Sequence, residues 1–410
     1  MVNTGDTAWI LISSALVMLM TPGLAFFYGG MVRRKNFLST IMMSFACLAV
    51  VGVLWVLFGY SLAFGPDHGG IIGGLDWLGL NGVGEAPSAV YATTVPHLAF
   101  MAFQAMFAVI TVALITGAVV ERMKFSALLI FGGLWLTLVY VPVAHWVWGT
   151  GGWLAKMGAL DFAGGTVVHV NAGVSAMALA LLLGPRKGFK EGHPMEPNNI
   201  PLVILGAGLL WFGWFGFNAG SALTAGGLAA NSFVTTNTAA AAAALAWMIV
   251  SWINKRPSAL GTATGAVVGL VAITPAAGFV TPLAAIAIGA VAAVISYYVM
   301  IFRMKRGVDE SLDVWACHGI GGTFGALATG LFATVAVNSA GANGLFYGNP
   351  KQFLIQLLAV GVVWVFSFGM TLLLGKLVDM TIGLRVSPTE EIIGLDISQH
   401  GETAYGGLLR

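Results

Sequence analysis

The sequence predicts an all-α polytopic membrane protein with eleven transmembrane helices. Three observations carry this. The 410 residues are 58% hydrophobic and only 8% charged, against about 25% charged in a typical soluble domain. The mean hydropathy is +0.90, more apolar surface than one globular core absorbs. The apolar runs also follow one another with short loops, the pattern of one helical bundle. The two cysteines, Cys47 and Cys317, sit inside apolar runs and read as buried thiols. A net charge of +2 gives no reason to expect nucleic acid.

Taken in order, the predicted cores are 8–32, 38–64, 97–120, 125–148, 163–184, 201–221, 230–253, 258–276, 280–302, 314–336 and 353–380. The run from Thr7 has no basic leader and is expected to be a retained span. Basic residues then orient the chain. Arg33, Arg34 and Lys35 follow the first core, Arg122 and Lys124 the third, and Arg186, Lys187 and Lys190 the fifth. Lys255 and Arg256 follow the seventh, and Arg303, Lys305 and Arg306 the ninth; the opposite loops offer only Lys156 and Lys351. The positive-inside rule therefore predicts an outer N-terminus and a cytoplasmic C-terminus. Residues 1–383 are read as the membrane domain and 384–410 as an ordered cytoplasmic tail.

A weak internal repeat pairs helices 1–5 with 6–10, leaving helix 11 peripheral. Asp161 precedes His169 by eight residues, and Glu310 precedes His318 by eight. GLAFFYGG at 23–30 echoes GWFGFNAG at 213–220. Five spans is an odd number, so the second copy would be inverted, with a shared site near the midplane.

Ionisable groups inside spans are costly and point to function. A neutral imidazole has one donor and one acceptor. His169 and His318, meeting across the pseudo-twofold axis, would form a pair that passes protons. Asp161 lies about 12 Å from His169 if both are helical. It reads as a helix cap, and its charge would also favour a nearby cation. Phe103 and Phe107 share a helical face, Phe217 neighbours Trp214, and Trp148 ends the fourth core. Most such aromatics pack or anchor, yet their faces attract cations. Trp148 with Ser221 would make an external cation trap. No metal-ligand spacing and no nucleophile–base set appears, so neither a metal centre, a cofactor nor an enzyme is expected. GIGGTFGALATG at 319–330 lacks the Lys-Ser/Thr ending of a phosphate loop, and Gly321-x-x-x-Gly325 reads as close helix packing. No T-V-G-Y-G-type filter suggests a potassium channel.

Seven segments together resemble the ammonium transporter family (Amt/Mep/Rh). They are TPGLAFFYGGMVRRKN (21–36), AHWVWG (144–149), GALDFAGGTVVHVNAG (158–173), WFGWFGFNAGSAL (211–223), ITPAAGFV (273–280), DESLDVWACHGIGG (309–322) and GLDISQHGETAY (394–405). Trp148 and Ser221 fit the prokaryotic-type Amt branch. The resemblance implies a homotrimer with one pore per protomer in the cytoplasmic membrane, and ammonium or ammonia as substrate, with methylammonium as its analogue. It implies an outer recruitment site at Trp148, Ser221 and Phe107, supported by Asp161. It further implies a stacked phenyl gate of Phe107 and Phe217, with Trp214 below it and the twin histidines His169 and His318 in the pore. A trimeric PII-type signalling protein is an implied cytoplasmic partner. The other reading is an ammonium sensor that signals through its tail.

Overall fold

The computed structural model describes residues 1–405. Among them, nine helices are long and apolar enough to cross a membrane. They are α1 (Thr4–Met31), α2 (Arg34–Phe64), α3 (His97–Val119), α4 (Phe125–Met157, broken at 149–152), α5 (Gly165–Leu183), α6 (Ile200–Ala219), α7 (Gly227–Asn254), α9 (Pro282–Lys305) and α11 (Pro350–Thr381). Two shorter apolar helices lie between these: α8 (Ala259–Ile273) and α10 (315–332). The expected tenth core ran to 336, but the helix stops at Phe332, where the chain leaves helical geometry at Ala333. A short α12 (Pro388–Ile393) follows α11.

Local chemistry starts these helices where the loops end. Side chains of Asn3, Asn199, Ser258 and Thr281 accept from backbone N–H groups in the first turns of α1, α6, α8 and α9. Proline occupies the first turn of α6, α9 and α11, where no N–H is needed. Ser387 and Glu390 form a reciprocal capping box on α12. The loop between α2 and α3 holds two small antiparallel hairpins, Asp67–His68 with Ile72–Gly73 and Pro87–Ser88 with Ala92–Pro96.

Small residues bring the helices together. In lipid the apolar exterior supplies no drive to associate, so close backbone packing must do so. A Cβ at Gly206, Gly213 or Gly216 of α6 would collide with α1, and one at Gly23 would press on Leu209 of α6. The alanine-rich α7 receives Gly269 of α8 and Gly289 of α9 in the same way. On α10, Gly325 meets the Ala272 backbone, whereas Gly321 has ordinary clearance, so the close approach rests on Gly325 alone.

A buried ionic layer closes one end of the bundle. Glu121 contacts Arg33 at 2.9 Å and Arg186 at 3.0 Å, and Arg186 contacts Asp309 at 2.8 Å. Arg122, fully buried, donates to the Gly184, Ala118 and Asp309 carbonyls. The described part of the tail docks here. Arg385 pairs with Glu391 at 2.7 Å, and Asn36 accepts from the Leu395 N–H. Residues 406–410 of the expected tail lie outside the described residues. Cys47 and Cys317 are buried free thiols.

Candidate functional site

Two histidines meet inside the bundle. α5 and α10 each begin with a π-helical turn, Gly165–Val170 and Trp315–Ile320, and each turn carries one of them. Such turns are rare and tend to mark functional positions. His169 Nδ1 lies 3.1 Å from His318 Nδ1, with both rings buried. One of the two nitrogens must carry the hydrogen and the other must accept it. The shared hydrogen fixes opposite tautomers, so the outward Nε2 atoms are one N–H and one lone pair. His169 Nε2 is fully buried and has no partner among the described residues.

Glycine permits this meeting. A Cβ on Gly173 would overlap the Gly319 backbone, one residue past His318. Gly173→Ala is therefore expected to push α5 from α10, lowering stability by about 1–3 kcal/mol and separating the imidazoles. Gly361→Ala is the control, because a Cβ there meets nothing within 4 Å. Thermal melts in detergent should show a lower midpoint for Gly173→Ala alone. Equal midpoints would refute the crossing argument.

Asp161 starts α5 and does so with its whole carboxylate. Oδ1 accepts from Gly164 N–H at 2.8 Å and Gly165 N–H at 2.6 Å. Oδ2 accepts from Thr166 N–H at 2.8 Å, the Thr166 hydroxyl at 2.5 Å and Val167 N–H at 3.2 Å. Gly164 has φ +112°, which a side chain would resist, and it turns the chain into reach of the carboxylate. Burial raises the Asp161 pKa against the pull of bonds from Thr166, Val167 and Gly164. Glu310 repeats the arrangement on α10, accepting from Val314 and Trp315 N–H groups at 3.1 and 3.3 Å. Burial pushes its carboxyl up as well.

Aromatic rings line the way outward from the histidines. Trp214 stacks on His169 with centroids 5.3 Å apart and donates to Thr274 Oγ1 at 2.8 Å. Phe217 and Phe107 stack at 4.2 Å and 25°, and both are essentially fully buried. Phe103 is edge-on to Phe107 at 4.9 Å, and Trp148 is edge-on at 5.9 Å. Trp148 Nε1 donates to the Asp161 carbonyl at 2.9 Å, so the cap residue also sets the indole. The Ser221 hydroxyl donates to Phe217 O at 2.8 Å, leaving its lone pairs free.

Three cavities border these residues. The first, about 270 Å³, is lined by Phe103, Phe107, Trp148, Asp161 and Ser221. Beyond the stacked phenyls, a space of about 10 Å³ is bounded by Phe217, Trp214, His169 and His318, room for about one water-sized molecule. The third, of about 220 Å³, shares Val267 and His318 with it and reaches Tyr28 and Asp313. The structure thus brings together all eight residues singled out from the sequence, together with Phe103. It adds Gln104, Tyr28 and Thr274, which sequence reading missed. Thr274 and Tyr28 lie within quoted motifs, in ITPAAGFV and LAFFYGG, and a hydroxyl among apolar neighbours was their signal. Among the described residues, no cluster of three His, Cys, Asp or Glu could hold a metal.

The Ammonium Transporter Family model matches residues 8–405. An ammonium transporter of Bacillus subtilis is 54% identical over 98% of each chain. Ammonium transporter Amt1 of Archaeoglobus fulgidus is 53% identical over 98% of this chain and 100% of its own. The crystal structure of Candida albicans Mep2 superposes with a TM-score of 0.90 at 38% identity, covering 98% of this chain and 91% of that one. On a match that runs nearly end to end, this multi-pass membrane protein belongs to the ammonium transporter family.

Proposed function

We propose that this chain carries ammonium across the cytoplasmic membrane by splitting it into ammonia and a proton. The observation that carries the reading is the direct contact of two buried imidazoles between a closed phenyl pair and an inner cavity. Ammonium and potassium are alike in charge and size, and an aromatic trap separates them poorly. A dry constriction is costly to any ion. Ammonium alone can shed its charge there by losing a proton.

In this scheme Trp148, Phe107 and Ser221 recruit NH4+, with Asp161 holding the indole in place. An N–H bond breaks near Phe107 and Phe217, and neutral NH3 passes the phenyl pair into the lumen beside Trp214. The released proton enters one imidazole at its lone pair while that pair's shared hydrogen shifts and the other ring gives up a proton toward the inner cavity. NH3 regains a proton inside, so one positive charge crosses per cycle.

The same reading takes α1–α11 as eleven spans, with α1–α5 and α6–α10 as inverted copies, the N-terminus outside and the C-terminus cytoplasmic. Residues 1–383 form the transport domain and 384–410 the tail. The working unit is a homotrimer, with a PII-type protein as a candidate partner at the cytoplasmic face. The matched helix starts at Asp161 and Glu310 support the repeat.

Solid-supported-membrane current on the purified protein in liposomes tests this. Pulses of ammonium, potassium and sodium should give a saturable current with ammonium alone. Alkalinisation without current would mean neutral NH3 flux and would remove the relay. Neither signal in folded protein would favour a sensor working through its tail.

A further inference from the structure

We infer that Gln104 is a substrate-contacting residue of the outer cavity, its amide oxygen accepting a hydrogen bond from ammonium. The inference rests on the recruitment reading above and adds the missing acceptor to it. Gln104 follows Phe103 and lies three residues before Phe107, so it shares the face of α3 that borders the cavity. It is 9% exposed, and its Oε1 is fully buried with no partner among the described residues. A buried amide oxygen without a partner is costly, so such a group calls for an explanation.

A census of the other polar groups around the cavity sharpens this. Both oxygens of Asp161 are saturated by its own helix start. The Trp148 N–H is committed to the Asp161 carbonyl. The Tyr91 hydroxyl donates to Phe64 O and accepts from Thr150 N–H. Ser221 offers lone pairs only. Ammonium brings four N–H donors and no acceptor. Aromatic faces satisfy its charge without directing its hydrogens. Besides Ser221 and the exposed Thr150 hydroxyl, the Gln104 amide is the uncommitted side-chain acceptor among the described residues lining the cavity, and its oxygen is the buried one. The terminal torsion of glutamine is broad, so the oxygen swings toward a cation that enters.

This role makes a prediction about selectivity. Removing the acceptor leaves one N–H of ammonium unsatisfied in a partly dry site. Methylammonium can turn its methyl group to that position and loses less. Gln104→Leu in liposomes should therefore raise the ammonium concentration at half-maximal current about tenfold, with the maximal current retained. The shift for methylammonium should be clearly smaller. Gln104→Glu keeps both the shape and an acceptor, and it should lower the half-saturating concentration severalfold. It also serves if the leucine variant folds poorly. Half-saturation within twofold of the parent in both variants overturns the inference, as does an equal shift for both substrates in Gln104→Leu. Trp148→Leu is measured in parallel. If it raises half-saturation while the Gln104 variants do not, the Gln104 role fails and the recruitment site stands. If neither position matters, both fail.

Discussion

His318→Leu is expected to lower the ammonium-driven current by at least about 100-fold, the usual scale of a positioned proton acceptor. Leucine fills the volume of the ring without either nitrogen. Among the described residues His318 hydrogen-bonds His169 alone, through Nδ1 at 3.1 Å, so the substitution removes one such bond. The lumen stays apolar, lined by Leu114, Leu210, Trp214 and Phe217. Neutral ammonia therefore still passes, and stopped-flow alkalinisation of the vesicles should persist. Charge movement is what disappears. His169→Leu should do the same. The double variant should be no worse than either single one, because a relay of two members fails when either is lost. A His318→Leu protein with full current and full selectivity over potassium would remove the twin-histidine relay. Multiplicative losses in the double variant would mean two separate roles.

The residues of this pair were legible in the sequence for a physical reason. A histidine in an apolar run is conspicuous, and two of them at matched spacing from an acid are more so. What the spacing did not reveal is that each sits in a π turn, which leaves no compositional trace. Asp161 was readable as a cap because it precedes an apolar run, but not that five donors would converge on it. Gln104 escaped notice because an amide carries no charge and FQAMF reads as packing. The basic residues after each odd helix were read for their sign alone. Their partners come from loops far apart in sequence, so nothing local to Arg186 or Arg122 shows that both are buried. Three of the four hairpin strands between α2 and α3 are two residues long, too short for any alternation to register.

Those buried arginines lead to the second large effect. Arg186→Gln is expected to destabilise the protein by about 3–5 kcal/mol at neutral pH, the usual result of breaking one partner out of a buried ion pair. Arg186 holds Asp309 through Nε at 3.0 Å and Nη2 at 2.8 Å, and Glu121 through Nη1 at 3.0 Å. The side chains of Glu121 and Asp309 are 0% and 1% exposed. Glu121 also sits at φ +70°, a conformation that needs support from its surroundings. Burial alone would push both carboxyls up. Arg186 together with Arg33 outweighs it at Glu121, and Arg186 together with Arg122 outweighs it at Asp309, so both end below the ordinary carboxylate value. Groups whose pKa falls on folding contribute stability above the unfolded value, about 4. That stability is lost as pH drops through the lowered folded values. Without Arg186 only Arg33 at Glu121 and Arg122 at Asp309 oppose burial, so the variant's carboxyls take up protons at higher pH than the parent's do. The deficit of the variant should therefore be largest near pH 7–8 and shrink toward pH 5. Thermal melts in detergent across that range measure it directly. A deficit below about 1 kcal/mol, or one that does not change with pH, would mean that the ionic layer is solvated and not structural. The layer ties the end of α3 to the end of α5 and the approach to α10, the helices that carry Phe107, His169 and His318. A weakened layer should thus also broaden the separation of the two imidazoles, so ammonium current should fall in Arg186→Gln before the protein unfolds.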